Sequence, residues 1–212
     1  MASRVPKLIF PVILGGVIDV FDSPVLRVQQ PRKVLPTKAQ YNIFNAESVL
    51  VAVATETDAR TRRKALQAAR PGSPLLGARA LLLTTADGVP LLTIDKQTGQ
   101  RVTAVRGPDG GPIGAIRAER TTRHYALLDA EDHPIGQITG DLSLRRFTVA
   151  DGEGKRVARV SKKWAGLATE VLTTADRYNV EISGPVSEPL RTLVVVSAIV
   201  LDLTLHEFKD LV

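Results

Sequence analysis

The sequence predicts an all-β protein with one buried helix, arranged as a closed barrel around that helix. An apolar run near the C-terminus, Leu193–Leu205, has hydrophobic residues on every side of a helical wheel, and a helix of that kind must be buried all round. Upstream, four hairpin-like units follow one another at a spacing of about 20 residues. Repeated hairpins need a closed sheet or a covering layer to protect their edges. One helix enclosed by many strands satisfies both requirements.

The C-terminal element is predicted to be a helix from about Pro189 to His206. Ser187 has a side chain suited to the N-cap, and Glu188 and Pro189 suit the first turn. The run is too short to span a bilayer, which takes roughly 20 residues. Its β-branched content would also suit a buried strand, but the length and the capping signal favour a helix.

Each of the four repeated units consists of a strand, a turn rich in Asp or Gly, and a second strand. Two second strands have nearly the same sequence, Pro112–Ile116 and Pro134–Ile138. The units span Ala80–Ile94, Gln100–Ile116, His124–Ile138 and Arg146–Val160.

Three further strands are predicted upstream, at Val25–Val28, Tyr41–Phe44 and Val49–Ala54. Between these strands and the repeats, Thr57–Ala69 is a candidate polar helix that Pro71 would end. No linker separates these segments, which predicts a single domain. The predicted organisation is an N-terminal apolar segment at 1–24, a barrel domain at 25–207 and a C-terminal tail at 208–212.

The N-terminal segment resembles a signal peptide in its proportions. Arg4 and Lys7 precede the apolar stretch Leu8–Ile18. This stretch contains Pro11 and two glycines, and no small-x-small cleavage site follows it. We therefore interpret it as part of the mature chain, lying on the protein or on a membrane surface.

Composition narrows the range of partners. The net charge is +6 at pH 7 and the pI is near 9.8, which favours anionic partners such as lipid headgroups. Aromatic residues make up only 4% of the chain, so a base-stacking surface for nucleic acid is not expected. The chain has no cysteine, which excludes disulfides and thiolate metal sites and agrees with a cytoplasmic location.

No catalytic motif stands out, and the sequence predicts a protein that is not an enzyme. The chain has only 3 histidines, and Asp210 stands where a zinc-protease motif beginning at His206 would need its second histidine. There is no Gly-x-Ser-x-Gly motif. The glycine-rich stretch Gly107–Gly114 lacks the Lys-Ser/Thr of a phosphate-binding loop and reads better as a hairpin turn.

The C-terminal third of the chain resembles the phospholipid scramblase family. The resemblance lies in Phe147–Trp164, in Thr173–Ile182 and in the apolar run Leu193–Glu207. LURP-one-related proteins share the pattern, and the Tubby C-terminal domain is similar more distantly. The resemblance covers roughly Val25–Glu207. It is specific from Phe147 onward and only pattern-level before that residue.

The resemblance implies a Tubby-like closed barrel of about 12 strands around a central hydrophobic helix. This agrees with the architecture that the residues themselves predict. It also implies association with membranes, at the cytoplasmic face of the plasma membrane, and transbilayer movement of phospholipids that depends on Ca²⁺ in some members.

The segment that corresponds to the family's acidic calcium region is poor in ligands here. Asp176, Asn179 and Glu181 offer side-chain oxygens, with Arg177 among them. A Ca²⁺ site takes six to eight oxygens, usually with several carboxylates. We therefore expect no cofactor and treat these three residues as a weak calcium candidate.

The basic residues form two groups in the sequence. One lies on the candidate polar helix, from Arg60 to Arg70, and the other on the fourth hairpin, from Arg145 to Lys163. Such groups are commonly just solvated faces, but near an anionic leaflet each basic residue contributes about 1 kcal/mol. Trp164 could lie at a membrane interface, although a position in the barrel core is favoured for it. The residues predicted to bind lipid or membrane are Arg156, Arg159, Lys162, Lys163 and Trp164.

Asp202 lies on the predicted buried helix, where an unpaired charge would be costly. We expect arginines that line the barrel to pair with it. The sequence as a whole predicts a membrane-associated protein that binds anionic phospholipid headgroups. The alternative is a soluble, non-catalytic barrel domain that binds a protein partner or a small ligand.

Overall fold

A computed structural model describes residues 19–31, 39–57, 79–96, 100–119, 123–163 and 177–209, with side chains to 205 in the last segment. These residues form twelve strands and one helix, as predicted for the fold class. The strands are β1 (Val25–Gln29), β2 (Gln40–Phe44), β3 (Leu50–Glu56), β4 (Arg79–Thr85), β5 (Pro90–Lys96), β6 (Val102–Arg106), β7 (Pro112–Ala118), β8 (His124–Leu128), β9 (Pro134–Gly140), β10 (Arg146–Asp151), β11 (Arg156–Lys163) and β12 (Arg177–Ile182). The helix is α1 (Leu190–Lys209).

The strands form a closed antiparallel barrel in which each strand pairs with its neighbour in sequence. The barrel closes where β1 pairs with β12, with Val28 opposite Tyr178. Closure leaves none of the twelve described strands with a free edge, which is the usual solution for repeated hairpins. All four predicted hairpins and the three predicted upstream strands are present.

Alternation along the strands separates an inner from an outer face. In β2, for example, Tyr41 and Ile43 are buried whereas Gln40, Asn42 and Phe44 are half-exposed. The inner residues surround α1, in which every residue from Leu193 to Leu203 is at most 2% exposed. The central helix of the barrel is thus confirmed, and it accounts for the absence of a polar face in the apolar run.

The helix begins one residue after the predicted start and extends beyond the predicted end. The amide of Arg191 donates to the carbonyl of Ser187 at 3.0 Å. The carboxylate of Glu188 accepts hydrogen bonds from the amide of Thr192 at 3.2 Å and from its hydroxyl at 2.6 Å. The side-chain capping contact described here is therefore made by Glu188, one residue after the predicted cap. The alternative of a buried strand is wrong.

The two ends of the barrel differ in their connections. Five short turns, at one end, join β2 to β3, β4 to β5, β6 to β7, β8 to β9 and β10 to β11. We call this the turn end. Each of these turns has a residue with positive φ and a register shift in the adjoining strand pair, as in a hairpin with a bulge. The residues with positive φ are Ser48, Gly88, Gly110, Asp132 and Gly154.

The opposite end carries the remaining strand connections, and we call it the loop end. Only one of its connections, between β9 and β10, is described throughout. Because β12 runs towards the turn end, α1 enters the barrel there and runs towards the loop end. Asp202, in the C-terminal half of α1, therefore lies near the loop end.

The repeated Pro-Ile-Gly sequence has a structural reason. A Cβ atom added to Gly114 would lie 2.3 Å from the carbonyl oxygen of Leu128, and one added to Gly136 would lie 2.5 Å from that of Ala150. Both carbonyls adjoin a register shift in the neighbouring strand. A leucine of α1 also lies against each glycine. Glycine at these positions lets a bulged strand and the central helix approach closely.

Two sequence predictions fall on residues outside the described ranges. The candidate polar helix Thr57–Ala69 is described only at Thr57, and the N-terminal apolar stretch Leu8–Ile18 is not described. Both remain predictions, as do the boundaries drawn at 1–24, 25–207 and 208–212.

Candidate functional site

Charge is distributed unequally between the two ends of the barrel. Acidic residues predominate among the described residues of the turn end, where each short turn presents carboxylates to solvent. The acidic residues there are Asp19, Asp22, Glu47, Asp87, Asp109, Asp129, Glu131, Asp132, Asp151, Glu153 and Glu188. The basic residues described there are Arg106, Lys155, Arg156 and Arg191. The guanidinium of Arg27 also reaches this end, where it donates hydrogen bonds to Ser48 and Ala46. The turn end therefore carries a net negative charge within the described part of the chain.

The loop end has the opposite balance. Its described basic residues are Arg79, Lys96, Arg101, Arg117, Arg123, Arg145, Arg146, Lys162, Lys163 and Arg177. Its described acidic residues are fewer: Glu56, Asp95, Glu119, Asp141 and the buried Asp202. Although neighbouring strands run in opposite directions, most of the strands that contain Lys or Arg have such a residue at the loop end. Such a field attracts anionic surfaces.

The residues predicted to bind lipid do not all lie together. Arg156 begins β11 at the turn end, whereas Lys162 and Lys163 end it at the loop end. Lys162 lies six positions after Arg156 along the strand, about 20 Å at the usual rise per residue. Arg159 lies midway on the outer face, opposite Thr148 and Glu181. Trp164 lies outside the described residues. We therefore exclude Arg156 from the candidate surface.

Lys162 and Lys163 point in opposite directions. Lys162 lies opposite Tyr178, which is buried in the barrel, and its ammonium group lies 5.3 Å from the centre of the Tyr178 ring. This geometry suits a cation–π contact at the mouth of the barrel. Lys163 is exposed on the outer face, where its partner across the strand pair is Arg177. Of the two, Lys163 is the one presented to an approaching surface.

The connection between β9 and β10 adds an apolar residue to the loop end. Leu142 is 88% exposed, the most exposed large hydrophobic side chain that the structure describes. It precedes Arg145 and Arg146 in a tight turn held by Asp141. One oxygen of Asp141 accepts the amides of Arg145 at 3.0 Å and Arg146 at 3.3 Å, and both oxygens accept the Ser143 hydroxyl. The Arg145 amide is the main cause that lowers the pKa of Asp141.

Sequence reasoning missed Leu142 and Arg177. Leu142 lies in a polar turn whose sequence gives no sign that the side chain projects from the tip. In the sequence, Arg177 stands out only because it lies among the weak calcium candidates Asp176, Asn179 and Glu181. Its place beside Lys163 depends on the register of β11 against β12, and the connection between these strands is too long for sequence to fix that register.

Asp202 is held by neutral donors at the mouth of the barrel. It is fully buried, and its carboxylate accepts hydrogen bonds from the Tyr41 hydroxyl at 2.8 Å, the Tyr178 hydroxyl at 3.0 Å and the Gln30 amide at 2.9 Å. Burial, and then the charge of Asp202, raise the pKa of Tyr41 well above its usual value. The described donors to Asp202 thus include two phenols and an amide, which the sequence did not predict. The expected pairing with arginine stays a prediction.

The residues of the weak calcium candidate are only partly described. Asn179 and Glu181 lie on the outer face of β12, and Asp176 lies outside the described residues. Arg27 and Ser161 lie opposite Asn179, and Arg159 lies opposite Glu181. An arginine beside each ligand disfavours a divalent cation at the two described positions.

A second group with metal-ligand chemistry lies in the turn between β8 and β9. Asp129, Glu131 and His133 have ligand atoms within 4.8 Å of one another. One oxygen of Asp129 accepts the amides of Glu131 at 3.0 Å and His133 at 2.8 Å, and the His133 amide is the main cause that lowers the pKa of Asp129. Asp151 binds its own turn in the same way. We therefore interpret the Asp129 carboxylate as a group that stabilises the turn, and not as a metal ligand.

A cavity of about 280 Å³ lies at the turn end. Three of its lining residues are acidic, so it does not suit an anionic headgroup. The Nδ2 atom of Asn45, which also lines it, is buried without a hydrogen-bond partner. The lining residues are Asp19, Asp22, Ser23, Pro24, Asn45, Ala46 and Glu47.

Comparisons with known proteins agree with the geometry. The chain resembles an X-ray structure of a protein from Arabidopsis thaliana, with a TM-score of 0.51 and 14% identity over 88% of this chain and 95% of the other. At that identity the likeness shows the fold alone. No curated protein matches. Within the described part of the chain, no helix has both the length and the hydropathy needed to cross a bilayer.

The family model Scramblase matches residues 34–208, which is most of the chain. The match extends from the segment before β2 to the end of α1, so it includes nearly the whole barrel and the central helix. The chain therefore belongs to the Scramblase family.

Proposed function

We propose that this protein binds anionic phospholipid surfaces peripherally, with the loop end of its barrel facing the bilayer. The observation that carries the proposal is the separation of charge along the barrel, with cations collected at the loop end and carboxylates at the turn end. Membership of the Scramblase family supports a lipid-related role. We place the protein at the cytoplasmic face of the plasma membrane, where anionic lipids are concentrated.

Electrostatics favour this orientation. Each basic residue close to an anionic leaflet contributes about 1 kcal/mol, and the attraction fades within a Debye length of about 8–10 Å at physiological salt. Cations at the loop end therefore act strongly only when that end faces the membrane. The carboxylates of the turn end would be repelled by the same leaflet. The exposed Leu142 adds an apolar contact beside Arg145 and Arg146.

The function is proposed as binding without catalysis, and no cofactor is invoked. The resemblance also implies transbilayer movement of phospholipid. The lumen of the barrel is filled by α1, whose residues from Leu193 to Leu203 are at most 2% exposed. Any movement of lipid that this protein promotes would therefore proceed along its outer surface.

Co-sedimentation of the purified protein with liposomes tests the proposal. One set contains phosphatidylcholine alone, and the other also contains phosphatidylserine, an anionic lipid of the cytoplasmic leaflet. Binding should require the anionic lipid and should fall steeply as NaCl is raised. Equal binding to both sets, or binding that is insensitive to salt, would contradict the proposal. A parallel series with Ca²⁺ or EGTA examines the candidate calcium residues, and lipid movement can be followed in the same vesicles.

The alternative is a barrel domain that binds a protein partner or a small ligand. The acidic turn end and its cavity favour a basic partner of that kind. Failure to bind either set of liposomes would favour this alternative. Binding of similar strength to duplex DNA would instead point to a general polyanion surface, an outcome that the low aromatic content does not support.

A further inference from the structure

We propose that Lys163, Arg177 and Arg146 form a discrete binding site for a phosphate group on the outer wall of the barrel at the loop end. This inference rests on the proposed function and goes further, because it names three residues and one ligand chemistry where the function needs only net charge. The phosphate could belong to a lipid headgroup or to a free phosphate ester.

Strand register brings the three cations together. Lys163 and Arg177 lie directly opposite each other across β11 and β12, and side chains in that relation have Cβ atoms about 4.5–5.5 Å apart. Arg146 lies opposite Ser161, two residues before Lys163 on the same face. This makes it a diagonal neighbour of Lys163, at about 7–8 Å. All three side chains are exposed.

The residues paired with Lys163, Arg177 and Arg146 across the strands donate hydrogen bonds and carry no negative charge. A carboxylate does lie beside Arg146, that of Asp141, and it accepts the amides of Arg145 and Arg146. Gln29 lies opposite Arg177 on the far side of β12, and Ser161 lies between Arg146 and Asn179. Within these described pairing rows there is no carboxylate. The first acidic residue along the outer face of β12 is Glu181, which lies opposite Arg159.

Two like charges directly opposite each other on a sheet destabilise it. Among the described residues, neither Lys163 nor Arg177 lies within salt-bridge distance of a carboxylate. An anion bound between them would remove the repulsion. Local arrangements that cost stability are expected at functional sites.

The chemistry of the donors suits phosphate. Arg177 can offer two parallel N–H donors to two phosphate oxygens, and Lys163 supplies a compact charge to a third. Arg146 and the amide of Gln29 can reach the rim of the same group. A phosphomonoester, with nearly two negative charges at pH 7, matches this set better than a single carboxylate.

The test uses the full chain and a soluble probe, glycerol 3-phosphate. Amide resonances in ¹⁵N-labelled protein are followed during titration, with sodium sulfate and sodium acetate as comparison anions. The variant is Lys163→Gln/Arg177→Gln. Its matched control is Lys155→Gln/Arg156→Gln, which removes the same charge at the turn end of β11. Circular dichroism and thermal unfolding establish that both variants are folded.

The second arm uses vesicles of equal charge density containing either phosphatidic acid, which exposes a phosphomonoester, or phosphatidylserine. The wild-type chain should prefer phosphatidic acid. The Lys163→Gln/Arg177→Gln variant should lose this preference and bind glycerol 3-phosphate at least about tenfold more weakly, because it loses two charge-assisted contacts. The control should retain both.

The two arms separate the proposals. Shifts at the loop end of β11 and β12 that saturate with glycerol 3-phosphate support the site, whether or not the protein binds vesicles. Vesicle binding that follows charge alone, without such shifts, would overturn the site and leave the proposed function intact. If the single variants Lys163→Gln and Arg177→Gln both bind glycerol 3-phosphate as tightly as the wild type, the site is also overturned.

Discussion

Asp202 is the buried carboxylate of the central helix, and replacing its tyrosine donors should measure how strongly it holds the helix in register. The variants are Tyr41→Phe and Tyr178→Phe, which remove one hydroxyl each and keep the buried ring. Both hydroxyls lie within hydrogen-bond distance of the carboxylate, at 2.8 Å and 3.0 Å. Any loss of stability can therefore be assigned to the hydrogen bond and not to a cavity.

The expected loss follows from the charge and burial of the acceptor. A hydrogen bond to a charged group contributes about 1.5–3 kcal/mol, and solvent cannot replace it because Asp202 is fully buried. We expect each variant to lower the free energy of unfolding by about 2 kcal/mol. For a chain of this size that corresponds to about 4–8 °C in Tm.

Urea unfolding followed by circular dichroism measures the effect, and Asp202→Asn provides the control background. Against the neutral amide, the same Tyr→Phe changes should cost only about 1 kcal/mol each. Losses below about 0.5 kcal/mol, the usual range for surface substitutions, would refute the assignment. Equal losses in both backgrounds would show that the charge of Asp202 does not matter.

Further predictions concern packing, pH and the exposed loop. Gly136→Ala should destabilise the protein by about 1–3 kcal/mol through overpacking. The control Gly152→Ala should not destabilise it, because the added Cβ would make an ordinary contact at 3.6 Å. Thermal unfolding compares the stability of the two variants. The raised pKa of Tyr41 predicts stability that is constant below about pH 10 and falls as pH rises towards the folded value, and Tyr41→Phe should flatten that fall in urea titrations. The lowered pKa of Asp141 predicts stability that is present above about pH 4 and lost as pH falls, so Asp141→Asn should have a shallower acid limb. Leu142→Ser should weaken liposome binding severalfold and leave Tm unchanged, because this side chain is 88% exposed; unchanged binding would remove Leu142 from the surface.

Local sequence patterns determined most of the architecture. The turns could be located because positive φ restricts their residues, and Gly88, Gly110 and Gly154 adopt that conformation. The central helix could be predicted because an apolar run without a polar face has to be enclosed. The Pro-Ile-Gly repeat is visible in the sequence, but the reason for its glycines is not. These glycines are needed because carbonyl groups of the neighbouring strands approach them closely.

The candidate site depended on information that the sequence does not contain. A cluster of charges along a strand, such as Arg156 to Lys163, is spread over about 20 Å and over both faces of the sheet. Which charges meet is decided by register, which pairs Lys163 with Arg177. The partners of Asp202 were missed for the same reason, because Tyr41 and Gln30 lie about 160–170 residues away in sequence.

The central claim is that the loop end faces an anionic membrane. It is tested most directly by two double variants that change residues at opposite ends of β6 and β11. Arg101→Gln/Lys163→Gln removes two exposed cations from the loop end, and Arg106→Gln/Arg156→Gln removes two from the turn end. The measurement is the partition coefficient onto phosphatidylserine-containing liposomes at fixed salt. The account predicts a fall of about 30-fold for the loop-end variant, at about 1 kcal/mol per cation, and less than about twofold for the turn-end variant, whose cations lie more than a Debye length away. Equal falls for the two variants, or a larger fall for the turn-end variant, would contradict it.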